Sequence, residues 1–262
     1  MLYFPQLPSG AIGQFPVKKR ISQRTIVNQV PDGHTVKLAD TGAELVQWQL
    51  AYQNLADSEI EILRQFFSAC EGKLNGFTFV DPVGNLLAWS EALSQPVWEA
   101  STLLQITGEI DDPNGGTNAS RVANPTASDL TIQQMVNAPS WFAYCLSSYV
   151  RSQSASGISL FRQAGASTET RWYTTHPSWN RISLGGRLNT TVESIAVGMV
   201  IPAGKSVDVF GFQLEPQIAP SPYKLTFSVS GVYPNAHFSD DTFAVTTVGP
   251  NRHECTLTIT AR

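Results

Sequence analysis

The chain has 262 residues and a formal net charge of −4, and charged residues make up only 15% of it, against roughly 25% in an average soluble protein. No apolar run reaches the roughly 18 residues that a membrane-spanning helix needs, and Met1 is not followed by a signal-peptide pattern. The only basic cluster is Lys18-Lys19-Arg20. We therefore expect no membrane insertion, no Sec export and no nucleic-acid sequence recognition.

The cysteines and histidines show no metal-binding or disulfide spacing. Cys70, Cys145 and Cys255 are odd in number, lie far apart in the sequence and form no CxxC pair. The four histidines are isolated and form no HExxH motif. We expect three reduced, buried thiols, and neither a metal nor another cofactor.

The first 85 residues predict three strands, one helix and a fourth strand. Arg24–Val30 and His34–Leu38 flank Pro31-Asp32-Gly33 and predict a hairpin, and a turn at Thr41-Gly42 precedes an alternating strand over Glu44–Tyr52. The helix is predicted from the apolar spacing of Ile60, Leu63, Phe66 and Phe67, behind a Ser58-x-x-Glu61 capping box. It should end near Gly72, with a strand over Leu74–Val80.

The middle of the chain, residues 86–225, has no convincing amphipathic helix and reads as a β-sandwich. Short apolar segments recur between clusters of Gly, Pro, Asn and Ser, as in a two-sheet architecture. The predicted strands are Leu103–Ile106, Arg121–Val122, Leu130–Met135, Trp141–Val150, Ile158–Phe161, Arg171–Tyr173, Trp179–Leu184, Val192–Val200 and Val207–Leu214.

The last residues predict strands over Phe227–Val229, Thr242–Thr247 and Glu254–Thr260. Fewer than about forty residues cannot form an independent core, so these strands should complete the N-terminal unit. The predicted fold is mainly β: a β-rich unit with one helix, formed by residues 1–85 with 226–262, and an inserted jelly-roll sandwich over residues 86–225.

Two stretches carry a family resemblance. Residues 66–82 read FFSACEGKLNGFTFVDP and resemble the N-terminal unit of distal tail proteins and related minor tail proteins of long-tailed bacteriophages. Residues 209–216 read VFGFQLEP and are followed by Ser221-Pro222-Tyr223. This second stretch resembles the closing strand of a carbohydrate-binding-like jelly roll found in phage tail and fibre proteins. The other motifs of that module are matched in order by Ser90-Glu91, Trp98, Asp112-Pro113-Asn114-Gly115-Gly116 and Trp179-Asn180-Arg181.

The resemblance implies a structural virion protein with no enzymatic activity. It would form a ring, usually a hexamer, in the phage tail, and would be assembled in the host cytoplasm. The ring would link the tail tube protein to the hub, tip or fibre proteins of the adsorption apparatus, and the sandwich would project outward and hold host-surface glycan. The simplest distal tail proteins lack an inserted module. The alternative is a stand-alone fibre or appendage lectin.

The N-terminal arm over Leu2–Pro16 is too apolar to float free. We expect it to dock on a neighbouring subunit, with packing on its own subunit as the alternative.

The carboxylates weighed for glycoside hydrolysis are Glu91, Asp111, Asp112 and Glu215. Turn chemistry accounts for Asp111 and Asp112, and the jelly-roll resemblance makes Glu215 structural, so the expectation is no catalytic residue. The Asp111-Asp112-x-Asn114 cluster also suits calcium chemically, but a Gly-rich turn explains the same residues without a metal.

Sugar binding depends on exposed aromatic rings that stack on pyranose C–H groups, with polar side chains at the rim. Trp98 and Trp179 match recurrent positions of the module and are expected to pack inside, with Arg181 stacked on Trp179. The carbohydrate-binding candidates are Trp141, Tyr149 and Trp172, each with core packing as the alternative interpretation.

Overall fold

The structure is a computed structural model that describes residues 1–153 and 157–262. It divides into two compact units, one made of residues 1–79 with 233–262 and the other of residues 80–232. The predicted fold class is confirmed: the chain is mainly β, and one helix lies in the first unit together with the C-terminal strands. Among the described residues, no helix is long and apolar enough to cross a bilayer.

Within the described residues there is one helix, α1, which spans Asp57–Ala69. The strands in chain order are β1 (Lys18–Gln29), β2 (Thr35–Leu55), β3 (Phe77–Val80), β4 (Glu99–Ala100), β5 (Gln105–Ile110), β6 (Ala119–Ala123), β7 (Leu130–Val136), β8 (Ala143–Arg151), β9 (Gly157–Ala164), β10 (Ser167–Thr174), β11 (Asn180–Arg187), β12 (Ile195–Ile201), β13 (Ser206–Glu215), β14 (Val232–Phe238), β15 (Val245–Gly249) and β16 (Arg252–Ala261).

The predicted domain limits of 86 and 225 fall inside the second unit. Asn85 explains why, because its backbone carbonyl accepts a hydrogen bond from the Gly231 amide at 2.9 Å. The Leu86 amide donates to the Leu214 carbonyl on β13 at 2.8 Å. The segments before residue 86 and after residue 225 are therefore hydrogen-bonded to each other and to the sandwich.

The first unit contains a sheet in the order β1-β2-β16-β14-β3, with β15 paired to β16. The predicted turn at Thr41-Gly42 is wrong, because β2 runs unbroken from Thr35 to Leu55. The pairing of β2 with β1 shifts register between Ser22 and Arg24, opposite Leu45 and Asp40. Thr41-Gly42 therefore lies in a β-bulge, where glycine is as useful as in a turn.

Two further predictions need correction, one for the helix of the first unit and one for the segment of the second unit that leads into β14. The helix is capped at Ala56, whose amide donates to the Glu59 carboxylate at 3.2 Å, and not at Ser58. The predicted strand over Phe227–Val229 is not formed, whereas β14 was not predicted because Pro234 and Asn235 disguise its pattern.

The N-terminal arm packs on its own subunit. Phe4 is buried, and its ring centroid lies 5.6 Å from that of Phe66, 6.0 Å from that of Phe77 and 5.5 Å from that of Phe79. Leu7 and Ile12 are buried as well. The expectation that this arm docks on a neighbour is therefore replaced by the alternative, since the arm fills part of the core of the first unit.

Cys70, Cys145 and Cys255 are buried free thiols. Burial raises the pKa of each thiol to about 11. We expect Ellman's reagent to label none of them in the folded protein at pH 8 and all three in 6 M guanidinium chloride, because the thiolate is the nucleophile. Rapid labelling of the folded protein would contradict this result.

The sandwich unit has two five-stranded sheets. The sheet in the order β10-β9-β12-β7-β4 is called the first sandwich sheet, and the sheet in the order β11-β8-β13-β6-β5 the second sandwich sheet. Because successive side chains of a strand point to opposite faces of the sheet, every second residue faces the core of the sandwich. In β12, for example, Ile195, Val197, Met199 and Ile201 are fully buried, whereas Ala196, Gly198 and Val200 alternate with them on the outer face.

Candidate functional site

Strand pairing arranges the outer face of the first sandwich sheet in rows that run across four strands. The first row is Trp172, Ser159, Val200 and Thr131, and the second is Thr170, Phe161, Gly198 and Gln133. The third row is Thr168, Gln163, Ala196 and Met135. Directly opposite residues of antiparallel strands project from the same side, so these twelve residues form one surface, which is called the Trp172 face.

The Trp172 face has small or buried residues at its centre, where Phe161 is only 5% exposed, and polar residues at its sides. Gly198 has no room for a side chain, because an added Cβ would lie 2.1 Å from the Ile132 carbonyl oxygen. Ala196 is also small, whereas Gln163 and Met135 on the neighbouring strands are exposed. Threonines 131, 168 and 170 add exposed hydroxyl groups. The surface therefore offers amide and hydroxyl groups on both sides of a shallow centre.

Trp172 is the exposed aromatic residue of this face. It lies on the edge strand β10, and 59% of its surface is exposed. Its ring rests on Gly157 of β9, where an added Cβ would lie 1.4 Å from the ring atom Cζ2. Glycine at 157 therefore lets the indole lie against the backbone of the neighbouring strand, with the rest of its surface open to solvent.

The other two predicted sugar-binding residues are elsewhere. Tyr149 lies on β8 in the second sandwich sheet, where the Arg181 guanidinium stacks on its ring at 5.3 Å and Phe210 lies 6.1 Å away. Trp141 is half-buried before the start of β8, edge-on to Phe142 at 6.0 Å. The structure thus does not bring Trp141, Tyr149 and Trp172 together, and of the three only Trp172 has an open ring.

A chain segment after β13 covers much of the outer face of the second sandwich sheet. The Ser221 carbonyl accepts a hydrogen bond from Arg181, and Tyr223 packs on Phe210 at 5.3 Å. Gly185 passes under this segment, since an added Cβ would lie 1.9 Å from the Ile218 carbonyl oxygen. This cover explains why the odd-numbered side of β8 is not an open aromatic face.

Trp98 and Trp179, the two tryptophans expected to pack, are packed, with one change of partner. Trp98 is buried, and its Nε1 donates to the Trp89 carbonyl at 3.0 Å. Trp179 is half-buried, but Arg151 stacks on it at 4.7 Å, and Arg181 does not. The strand register places Arg181 opposite Tyr149 instead.

The polar part of the Trp172 face was not identified from the sequence. Gln133, Gln163 and Thr170 lie on three different strands, and their sequence positions show no common spacing. Alternation within β7, where Thr131, Gln133 and Met135 flank buried Ile132 and Gln134, was the only local signal.

No protein-family model matches the chain, and no curated protein matches it. Among solved structures, it is similar to TmCBM61 in complex with β-1,4-galactotriose (14% identity, TM-score 0.39, 50% of this chain and 97% of that one). It is also similar to the C-terminal family 22 carbohydrate-binding module of Clostridium thermocellum Xyn10B (15%, 0.41, 54% and 97%). A third similar structure is the enzymatically active domain of bacteriophage CBA120 tailspike protein 4 (10%, 0.41, 52% and 22%).

Two of the four candidate carboxylates are held by their own chain. Asp112 accepts hydrogen bonds from the amides of Asn114 at 2.8 Å and of Gly116 and Asn118 at 3.1 Å each. Burial raises its pKa, but these donors outweigh burial and leave the pKa below its usual value. Glu215 accepts from Lys224 Nζ at 2.7 Å and from the Ser221 amide at 2.9 Å.

The loop that suited calcium is thus explained by hydrogen bonds within the turn. Asp111 is exposed beside this turn. Burial, with a smaller contribution from the Asp112 charge, raises the pKa of Glu91. Across the part of the chain that the structure describes, no three His, Cys, Asp or Glu side chains are grouped to hold a metal ion.

Proposed function

We propose that the sandwich unit binds a neutral carbohydrate chain on the Trp172 face. The observation that carries this proposal is the open indole of Trp172, set at one end of a row of hydroxyl and amide side chains. A large aromatic ring costs free energy when left in water. An exposed ring that is held against a neighbouring strand is therefore best explained by a ligand with an apolar surface and hydroxyl groups at its rim.

The proposed chemistry is binding without bond cleavage. Trp172 stacks on the C–H face of a pyranose ring, and the side chains of Thr170, Gln163 and Gln133 exchange hydrogen bonds with its hydroxyl groups. These amides and hydroxyls are uncharged. Glu99 of β4 lies opposite Gln133 and accepts a hydrogen bond from its Nε2 at 2.9 Å. Its carboxylate would repel an anionic ligand, so the face favours neutral sugars.

The test is affinity electrophoresis of the full-length protein in gels that contain neutral polysaccharides such as galactan, xylan and mixed-linkage glucan. We expect at least one polymer to retard the wild-type protein. Gly157→Ala should remove the retardation, because the new methyl group occupies the position of the indole. Gly108→Ala, on β5 with open space around the glycine and no left-handed φ, controls for loss of glycine. Unretarded migration of the wild-type protein in every polymer would contradict the proposed binding. Release of reducing sugar from any of these polymers would contradict the proposed absence of catalysis.

We also propose, for the first unit, the role of a ring subunit in a phage tail. In this role the chain forms a closed ring, usually a hexamer, between the tail tube protein and the hub, tip or fibre proteins, and it resides in the virion. The supporting observation is an exposed hairpin, formed by β1 and the first half of β2, which is called the hairpin arm. All twelve residues of β1 are exposed, and β1 is an edge strand of its sheet.

Apolar side chains on the hairpin arm support a role in assembly. Ile26, Val27 and Leu38 are exposed, as are Ile21 and Val36. A two-stranded ribbon is marginally stable in water on its own, and an edge strand with exposed apolar residues is a template for pairing with another chain. A second copy of this chain, related by a rotation that closes, would cover both features.

We expect the full-length protein to form a closed oligomer, and shortening of the hairpin arm to abolish it. In the variant, an Asn-Gly turn replaces residues 24–40. Size-exclusion chromatography with light scattering gives the mass of the assembly. Trp172→Ala, a substitution in the sandwich unit, is the control and should leave that mass unchanged. A full-length monomer that the shortening leaves unaltered would favour the alternative, a stand-alone fibre or appendage lectin.

A further inference from the structure

A row of charged side chains crosses the uncovered part of the second sandwich sheet, on the opposite outer face from Trp172. Asp208 of β13 lies opposite Arg151 of β8 on one side and Arg121 of β6 on the other. Arg121 donates to Asp208 through Nε at 2.7 Å and through Nη2 at 3.1 Å. Arg151 donates through Nε at 3.0 Å. This set of three residues is called the Arg-Asp-Arg row.

The Arg-Asp-Arg row has one positive charge in excess, since two guanidinium groups share a single carboxylate. Asp208 is nearly buried, whereas the side chain of Arg121 is 46% exposed and that of Arg151 is partly exposed. Within residues 1–153 and 157–262, Arg121 Nη1 and both Nη atoms of Arg151 have no protein acceptor. Guanidinium groups with free N–H donors are suited to a second carboxylate.

An open cavity of about 200 Å³ adjoins the row. It is lined by Arg121, Asp208, Ser152, Ser206 and Gln153. Apart from the charged pair, the lining is hydroxyl and amide, which suits the hydroxyl groups of a sugar ring. The indole of Trp179 lies under Arg151 at 4.7 Å and holds that guanidinium in place by a cation–π contact.

We propose that the Arg-Asp-Arg row binds the carboxylate of an acidic sugar, a hexuronic acid within a polysaccharide. The ligand carboxylate accepts a hydrogen bond from the free Nη1–H of Arg121, which lines the cavity. The charge of Arg151, on the other side of Asp208, adds to the attraction, and the bound carboxylate makes the net charge of the site zero. Its ring hydroxyls contact Ser206 and Gln153. The choice of a sugar acid rests on the proposed glycan-binding function, but the site uses none of the residues of the Trp172 face.

The test is isothermal titration calorimetry of the full-length protein with tetragalacturonate and with its methyl ester, which has the same rings and no charge. We expect the acid to bind at least tenfold more tightly than the ester, and 0.5 M NaCl to remove most of that difference. Arg121→Gln should lose the preference for the acid, and Arg121→Lys should keep part of it. Arg171→Gln, which removes an exposed charge from β10, is the matched control and should bind as the wild type does.

Equal binding of acid and ester would overturn the proposal, as would full retention of the preference in Arg121→Gln. Displacement of the acid by inorganic sulfate at the same concentration would also overturn it, because the site would then select charge alone. Trp172→Ala tests the two proposals separately. It should weaken binding of neutral glycan and leave the preference for the acid unchanged. Either proposal can therefore be contradicted while the other stands.

Discussion

Replacement of Trp172 by alanine is expected to weaken binding of neutral polysaccharide by at least tenfold, and by roughly 30-fold if the stacking contact behaves as a hot spot of about 2 kcal/mol. The reason is that the open indole supplies most of the apolar contact area of the Trp172 face. Because the side chain is exposed on an edge strand, its loss should leave the free energy of unfolding nearly unchanged. Calorimetric titration with the polysaccharide found by electrophoresis measures the effect.

A matched control for Trp172→Ala is available in the same unit. Phe227 is 63% exposed and lies outside the Trp172 face, so Phe227→Ala removes a comparable aromatic surface without touching the proposed site. If the two variants lost the same affinity, a general loss of surface hydrophobicity would explain the result, and the assignment to Trp172 would be wrong. Trp172→Phe should retain part of the affinity, since it keeps an aromatic ring.

Replacement of Asn85 by aspartate is expected to destabilise the sandwich unit by about 3–5 kcal/mol at pH 7. The Asn85 side chain is only 2% exposed and makes four hydrogen bonds. Its Nδ2 donates to the carbonyls of Phe212 at 2.9 Å and Lys224 at 3.1 Å. Its Oδ1 accepts from the amides of Leu87 at 3.1 Å and Leu214 at 3.0 Å. An ionised aspartate would place a buried charge against two carbonyl oxygens.

The pH dependence of this variant has a definite sign. Burial beside carbonyl oxygens should raise the pKa of an aspartate at position 85 above that of the unfolded chain, about 3.9. A group with a raised folded-state pKa contributes stability at low pH that is lost as the pH rises. The difference from the wild type should therefore shrink on going from pH 7 to pH 4.

Urea unfolding at both pH values, followed through the transition of the sandwich unit, measures the effect of Asn85→Asp. Asn189→Asp, at an exposed position of the same unit, is the control and should change the free energy of unfolding by no more than about 0.5 kcal/mol. A destabilisation below 1 kcal/mol in Asn85→Asp would show that the four hydrogen bonds do not hold the start of the unit to its closing strand as we describe.

In the first unit, sequence patterns predicted some of the secondary structure correctly and missed one feature of the hairpin arm. The strands around Pro31-Asp32-Gly33 and the helix containing Leu63 were predicted from spacing and turn residues, because these signals act within a few residues. The Thr41-Gly42 turn was not formed, since a bulge and a turn use the same residue types. Pairing with β1 and β16 over a long register decided between the two.

The aromatic candidates show more clearly what the alternation of residues along a strand cannot predict. Alternation correctly separates Trp172 from Tyr173 and Tyr149 from Val150, because successive residues of a strand face opposite sides. It does not say which side another part of the chain covers. Ser221 and Tyr223 cover the surface beside Tyr149, whereas no residue described in the structure closes over the ring of Trp172 in this way.

Residue patterns along the chain were enough to predict the mainly β class, the helix of the first unit and the buried side of strands such as β16, where Cys255, Leu257 and Ile259 are buried. These properties follow from local periodicity and burial of apolar surface. Three contacts could be identified only in the folded chain: Gly157 makes room for Trp172, Asn85 bonds four backbone groups, and Arg121 and Arg151 share Asp208. Such contacts join residues far apart in the chain, and their partners are chosen by strand order and register, which local spacing does not encode.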